Sequence, residues 1–146
     1  MTVKVFVING ANLGLLGDRE PDKYGKQSLQ QLEEALQAEA ERLGVELLMF
    51  QTDSEARILA LLHRARHEAQ GVIINPGAHT HYSVAIRDAL AALDIPKIEV
   101  HITNIHAREG FRSKSITGSA VNGVITGLGT VGYILAIEAL LRMIKP

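Results

Sequence analysis

Three groups of residues in this chain have the types and spacing to do acid–base chemistry. Tyr24 lies five residues after Arg19 in a glycine-rich stretch, Asn9 to Gly25, which also carries Asn12. A phenol abstracts a proton near neutral pH only where its surroundings favour the ionised form, and a nearby guanidinium does that. Glu99 and His101 are two apart, so an extended strand puts them on one face, as a carboxylate–imidazole pair suited to donating a proton. Asn75, Gly77 and His81 form the third group, and Arg108 and Arg112 follow His101 in a second long loop. A base, an acid and a set of cations are the components of a proton abstraction that develops negative charge on the substrate.

Each group also has a plain structural reading. Asn75-Pro76-Gly77 has the composition of a turn. His101 reads equally as a buried histidine satisfied by Glu99, Tyr24 as a packed loop end, and the two arginines as residues of a solvated loop. What favours chemistry is where the elements place them.

Val3–Ile8 is a short apolar run of strand character. The segment after it is longer than most connections in compact domains, which marks it as a functional loop. Ser28 and Gln31 make a capping box for a helix with Leu29, Leu32, Leu36, Ala40 and Leu43 on its apolar face, stopped by Gly44. Strands follow at Val45–Phe50, Gly71–Asn75, Ile95–Val100 and Val121–Ile125. Helices lie between them: one capped by Asp53 or Ser54, one over Tyr82–Leu93 and one over Leu128–Ile144. Regular alternation of strand and helix argues a single α/β domain over residues 1–146, with helices on both faces of a parallel sheet. Five strands fit the flavodoxin-like doubly wound order 2-1-3-4-5, in which ligands bind beyond the carboxyl ends of the strands. Strands one, three and four are then neighbours, and all three groups fall at one sheet edge.

Composition narrows the function further. With 47% hydrophobic and 21% charged residues the chain can bury a core, and a net charge of −1 gives no electrostatic basis for nucleic-acid or membrane binding. The absence of cysteine excludes disulfides and thiol catalysis. With no signal-like segment or membrane-length apolar run, the expected location is cytoplasmic. Gly127-Leu-Gly-Thr-Val-Gly132 matches a dinucleotide fingerprint but opens no βαβ unit, so its glycines read as close packing. His63 and His67 lie four apart without an acidic third ligand, so no metal site is expected, and no cofactor either. The last helix is apolar nearly all round, from Leu128 through Val131, Leu135 and Leu140 to Ile144, which points to a homo-oligomer.

These residues sit in segments that resemble the type II 3-dehydroquinate dehydratases. The matching segments include Asn9-Gly10, Asn12-Leu13, Arg19-Glu-Pro21, Tyr24-Gly25, Ile73-Ile-Asn-Pro-Gly-Ala78, Thr80-His81, Arg87-Asp-Ala-Leu90, Ile98-Glu-Val-His101, Asn104-Ile-His-Ala-Arg-Glu109, Phe111-Arg112 and Gly127-Leu-Gly129. They run in order over the whole chain. The chain departs from the usual pattern at Ala11 (commonly proline), Gly14 (asparagine), Asp53-Ser54 (Asn-His), His79 (an aromatic or aliphatic residue), Tyr82 (threonine) and Thr103 (serine).

The resemblance implies dehydration of 3-dehydroquinate to 3-dehydroshikimate through an enolate, in the shikimate route to aromatic amino acids. It makes Tyr24 the base, with Arg19 and then Arg108 favouring the tyrosinate, and gives Asn12 a water against the enolate oxygen. His101, paired with Glu99, becomes the acid. The backbone amides of Ile102 and Thr103 are implied to hold the substrate carboxylate. Asn75, His81 and Arg112 hold its hydroxyls, with Gly77 in the same segment. Asp88 reaches a neighbouring subunit's site, in trimers assembled into a dodecamer. Independently, the lysines offer no obvious Schiff-base nucleophile: Lys4 and Lys97 start strands, Lys23, Lys26 and Lys114 lie in loops, and Lys145 is next to last. The other reading is a catalytically degenerate, flavodoxin-like small-molecule-binding domain.

Overall fold

In the computed structural model, which describes residues 2–144, the elements are β1 (Val3–Asn9), α1 (Pro21–Tyr24), α2 (Leu29–Leu43), β2 (Val45–Gln51), α3 (Glu55–Glu68), β3 (Gly71–Asn75), α4 (Val84–Ala91), β4 (Lys97–His101), β5 (Gly123–Thr126) and α5 (Val131–Ile144). The five strands are all parallel, in the order β2-β1-β3-β4-β5. This is the flavodoxin-like arrangement that the alternation predicts. Lys145 lies outside the described residues.

The three central strands, β1, β3 and β4, are buried on both faces, and their alternation divides the core in two. Val3, Val5 and Val7 of β1, with Ile73, Ile98 and Val100, pack under α2 and α5. Phe6, Ile8, Val72 and Ile74 point the other way, against α3 and α4. Fully burying such a side chain contributes about 1.5–3 kcal/mol, so a one-residue slip of β1 would exchange the two faces and is strongly disfavoured.

Several boundaries differ from the sequence expectation. The capping box of α2 is present, with the Ser28 hydroxyl accepting from the Gln31 N–H. Ser54, not Asp53, caps α3. β4 starts at Lys97 rather than Ile95, because Pro96 has no N–H for the ladder. α4 starts at Val84 rather than Tyr82, because Gly77–His81 is a 3₁₀ turn and Ser83 then caps the helix. α5 starts at Val131, not Leu128, since Gly127 and Gly129 hold positive φ in the turn before it. β5 is shifted to Gly123–Thr126. The two long loops are ordered by short turns: Leu13–Leu15 and α1 in the first; Ile105–Ala107, Gly110–Arg112 and Thr117–Ala120 in the second.

Gly132 lies on the packed face of α5, where an added Cβ would come within 3.2 Å of Ile125 and 3.3 Å of Val100, so close packing accounts for this glycine, whereas Gly127 and Gly129 serve the turn. Leu128, Val131, Leu135 and Met143 remain exposed, as does Val124 of edge strand β5. No helix of the described residues is long and apolar enough to cross a membrane.

Candidate active site

The carboxyl ends of β1, β3 and β4 open into one cleft. Asn12, Arg19 and Tyr24 line it from the first loop, Asn75, Gly77 and His81 from the second, and His101, Ile102, Thr103, Arg108 and Arg112 from the third. The three groups singled out in the sequence therefore meet. Two expected residues do not line it. Glu99 lies behind His101, wholly buried, and Asp88 sits on α4 away from the cleft of its own chain, largely exposed and paired with Arg87 at 3.0 Å.

The first two loops touch through their backbones. The Gly10 N–H donates to the Asn75 carbonyl at 2.7 Å. A Cβ at Gly10 would come within 2.5 Å of the Pro76 carbonyl oxygen, and one at Gly77 within 2.5 Å of that of Ala11, so neither position has room for a side chain. This contact sets the direction in which the first loop leaves the sheet. Asn12 then takes the left-handed conformation, with φ 68°, which asparagine tolerates better than most residues. Its N–H is held at 2.8 Å by Asp53, whose carboxylate also accepts from the Gln51 amide.

Further along, Glu20 at φ 41° turns the chain into the single turn of α1, which carries Tyr24 over the cleft. The Tyr24 hydroxyl accepts a hydrogen bond from Nη1 of Arg108 at 2.6 Å. The guanidinium of Arg19 lies over the Tyr24 ring, 4.8 Å from its centroid, and that of Arg108 is 5.4 Å away. The order of the two arginines is thus the reverse of the expectation: Arg108 contacts the oxygen, and Arg19 the ring. Both place a positive charge beside the phenol. Arg108 also reaches the Thr103 hydroxyl at 3.4 Å. Arg112 pairs with Glu109 at 2.9 Å, but out of hydrogen-bond alignment. The buried Nε atoms of Arg108 and Arg112 consequently have no hydrogen-bond partner.

Ile98 and Val100 of β4, with Ile102 just after it, face α2 and α5, which directs Glu99 and His101 to the opposite face. Nε2 of His101 lies 2.6 Å from Glu99 Oε2. Three hydroxyls complete the shell: Thr117 donates to Oε1 at 2.5 Å, and Thr80 and Ser115 to Oε2 at 2.9 Å each. Burial alone would raise the Glu99 pKa. The hydrogen bond and charge of His101, with the Thr117 and Ser115 hydroxyls, outweigh it and hold the carboxyl below its ordinary range. An ionised Glu99 fixes the imidazole with Nε2–H inward, which leaves Nδ1 for the cleft. His81 is held by its Nδ1 contact with the Lys114 carbonyl at 2.7 Å.

The chain matches the family model described as dehydroquinase class II over residues 3–141. It belongs to the class II dehydroquinase family. The 3-dehydroquinate dehydratase of Halothermothrix orenii is 49% identical over 142 residues, covering 97% of this chain and 96% of that protein. That of Bacillus mycoides is 50% identical over 142 residues, with 97% of each chain covered. The crystal structure of the type II dehydroquinase of Butyrivibrio crossotus superposes with a TM-score of 0.94 at 43% identity, covering 96% of this chain and 98% of that one. This dehydroquinase is accordingly a hydro-lyase.

Some residues that build this cleft are not singled out by the sequence. Thr80, Ser115 and Thr117 surround Glu99; Ile116 takes helical backbone angles and Thr117 opens a short turn, so no strand alternation marks these hydroxyls in the sequence. Tyr133, the lone phenol on the buried face of α5, contacts Asn9 and Asn75; it falls on the apolar stripe with Ala136, Ile137 and Leu140 and so reads as core. Among the described residues no cluster of metal-ligating side chains occurs, and His63 and His67 are both exposed.

Proposed function

We propose that this chain, as one domain, converts 3-dehydroquinate to 3-dehydroshikimate by anti elimination of water. The observation that carries the reading is the pairing of Tyr24 with Arg108 on one side of a cleft whose other side is formed by His101 on Glu99.

The substrate has a proton on the carbon beside a ketone and a hydroxyl on the next carbon. Tyr24, as tyrosinate against Arg108 and Arg19, takes the proton. The electron pair moves onto the ketone oxygen as an enolate, against which Asn12 holds a water. Collapse of the enolate expels the β-hydroxyl, which His101 protonates as it leaves. Glu99 stabilises the imidazolium that precedes this transfer. Atoms and charge balance with these groups and one water, with no oxidant or reductant. Ile102 and Thr103 offer backbone amides to the substrate carboxylate, and Asn75, His81 and Arg112 hold its hydroxyls, with Gly77 giving the room for the close approach of the loops. Among the described residues no lysine lines the cleft, which favours the enolate over an imine route.

The exposed apolar residues of α5 and β5, with Asp88 on α4, support assembly into trimers within a dodecamer, where Asp88 reaches a neighbouring cleft. The reaction belongs to the cytoplasmic shikimate route to aromatic amino acids. The test is turnover: 3-dehydroquinate added to the purified protein should give the absorbance of a conjugated enone, and an unchanged spectrum would refute the activity.

A further inference from the structure

Tyr133 is wholly buried on α5, and its oxygen sits between the carboxamides that end β1 and β3. It donates to Asn9 Oδ1 at 2.6 Å and accepts from Asn75 Nδ2 at 3.0 Å. A neutral phenol has one hydrogen, and here it is committed to Asn9. What it can offer Asn75 is a lone pair, so Asn75 must turn its Nδ2 towards it. Burial pushes ionisation of Tyr133 well above the ordinary phenol range despite the Asn75 hydrogen bond, so the single hydrogen is present throughout.

A second contact favours the same orientation. Asn75 Oδ1 accepts from the Gly77 N–H at 3.0 Å. Reversing the carboxamide would set an NH₂ against an N–H at one end and an acceptor against an acceptor at the other. The second hydrogen on Nδ2 has no protein partner among the described residues, and Asn75 borders the cleft. An Asn side chain can present either a donor or an acceptor to a ligand. Held this way, it presents the donor.

We propose that Tyr133 is a positioning residue, which fixes the facing of the Asn75 carboxamide so that the cleft offers an N–H at this point and selects a ligand with an acceptor oxygen there. Only the identity of that ligand, a hydroxyl oxygen of 3-dehydroquinate, rests on the dehydratase reading. Tyr133 itself lies behind Asn75 and is separated from the cleft by it.

The test is a double-mutant cycle on 3-dehydroquinate turnover. Tyr133→Phe should raise KM roughly three- to tenfold, the worth of one ordinary hydrogen bond, with kcat changed less than about twofold. In an Asn75→Ala background the same substitution should leave KM within about twofold, because its target is gone. An unchanged KM, or the same factor in both backgrounds, would overturn the proposal. Should Tyr133→Phe fail to fold, Asn75→Asp decides: it keeps the acceptor for Gly77 and removes the donor, so KM should rise as far as in Asn75→Ala, and a wild-type KM would overturn it. Absence of turnover by the wild-type protein would refute the dehydratase reading alone. The proposal is then read from exchange of the Asn75 side-chain amide hydrogens by NMR, slower in wild type than in Tyr133→Phe if it holds and equal if it does not.

Discussion

The Tyr24 hydroxyl and Nη1 of Arg108, 84 residues apart in sequence, are 2.6 Å apart in space. One comes from the loop after β1 and the other from the loop after β4, so this contact exists only when the first loop folds across the sheet edge. It sets a cation from the loop after β4 against the phenol oxygen of the loop after β1.

Arg108 and Arg19 should therefore differ in weight. Arg108→Ala removes a charge-assisted hydrogen bond to the oxygen, whereas Arg19→Ala removes a cation stacked on the ring. A charge-assisted bond contributes about 1.5–3 kcal/mol, and the corresponding loss of kcat is roughly 10–100-fold. Exposed cation–π contacts contribute about 0.5–1 kcal/mol, a loss of several-fold. Steady-state kinetics on the two variants checks the order, and a larger loss in Arg19→Ala would reverse the assignment.

Glu99 gives the protein an acid-sensitive point. Its carboxyl is held below the ordinary value of 4.5, so the unfolded chain binds that proton more readily than the folded one. The stability it contributes is full above the ordinary carboxylate range and is lost as pH falls from there through the folded-state value. Urea midpoints of the wild-type protein should fall with decreasing pH in this window. Glu99→Gln should flatten that fall and lower kcat by leaving His101 without its carboxylate. An equally steep fall in the variant would remove Glu99 from the effect.

The hydroxyl shell can be tested apart from the carboxylate. Thr117 is wholly buried and bonds to Oε1 of Glu99. Thr117→Val keeps the shape and removes the donor, so it should cost about 1–3 kcal/mol of stability, measured by urea unfolding. No change within error would mean that the carboxylate is satisfied without it.

Borohydride added with 3-dehydroquinate should leave the protein mass unchanged, because no lysine of the described residues lines the cleft. A trapped adduct on any lysine would replace the enolate scheme with an imine.

The sequence shows the site where chain direction and strand ends decide it, and hides the site where packing decides it. Glu99 and His101 are readable because a strand alternates and places both on one face. Tyr24 and Arg19 are readable because a long glycine-rich loop after a strand end stands out. That Arg108 rather than Arg19 contacts the phenol oxygen is not readable, since nothing local relates residues 24 and 108. Thr80, Ser115 and Thr117 look like ordinary loop hydroxyls until Glu99 is placed among them. Asp53 looks like a helix cap, and instead holds Asn12 from across the sheet edge, leaving the cap to Ser54. A parallel sheet with helices on both faces follows from alternation, and five strands in a chain of this length fit its order, whereas element boundaries moved wherever a proline, a 3₁₀ turn or a positive-φ glycine intervened.

The assembly is tested by sedimentation. Leu128, Val131 and Leu135 are exposed on the same end of the chain as Val124, and a trimer-based dodecamer would cover such a surface. A clean monomer at micromolar concentration would remove Asp88 from any cleft.

The most direct measurement is kcat for Tyr24→Phe on 3-dehydroquinate, followed by enone absorbance, with circular dichroism confirming the fold. The substitution removes one oxygen and leaves the ring that packs against the core and under Arg19. With Tyr24 as the base, kcat falls at least about 10²-fold, the low end of what a positioned base contributes. Turnover near the wild-type rate from the folded variant would contradict the assignment of Tyr24.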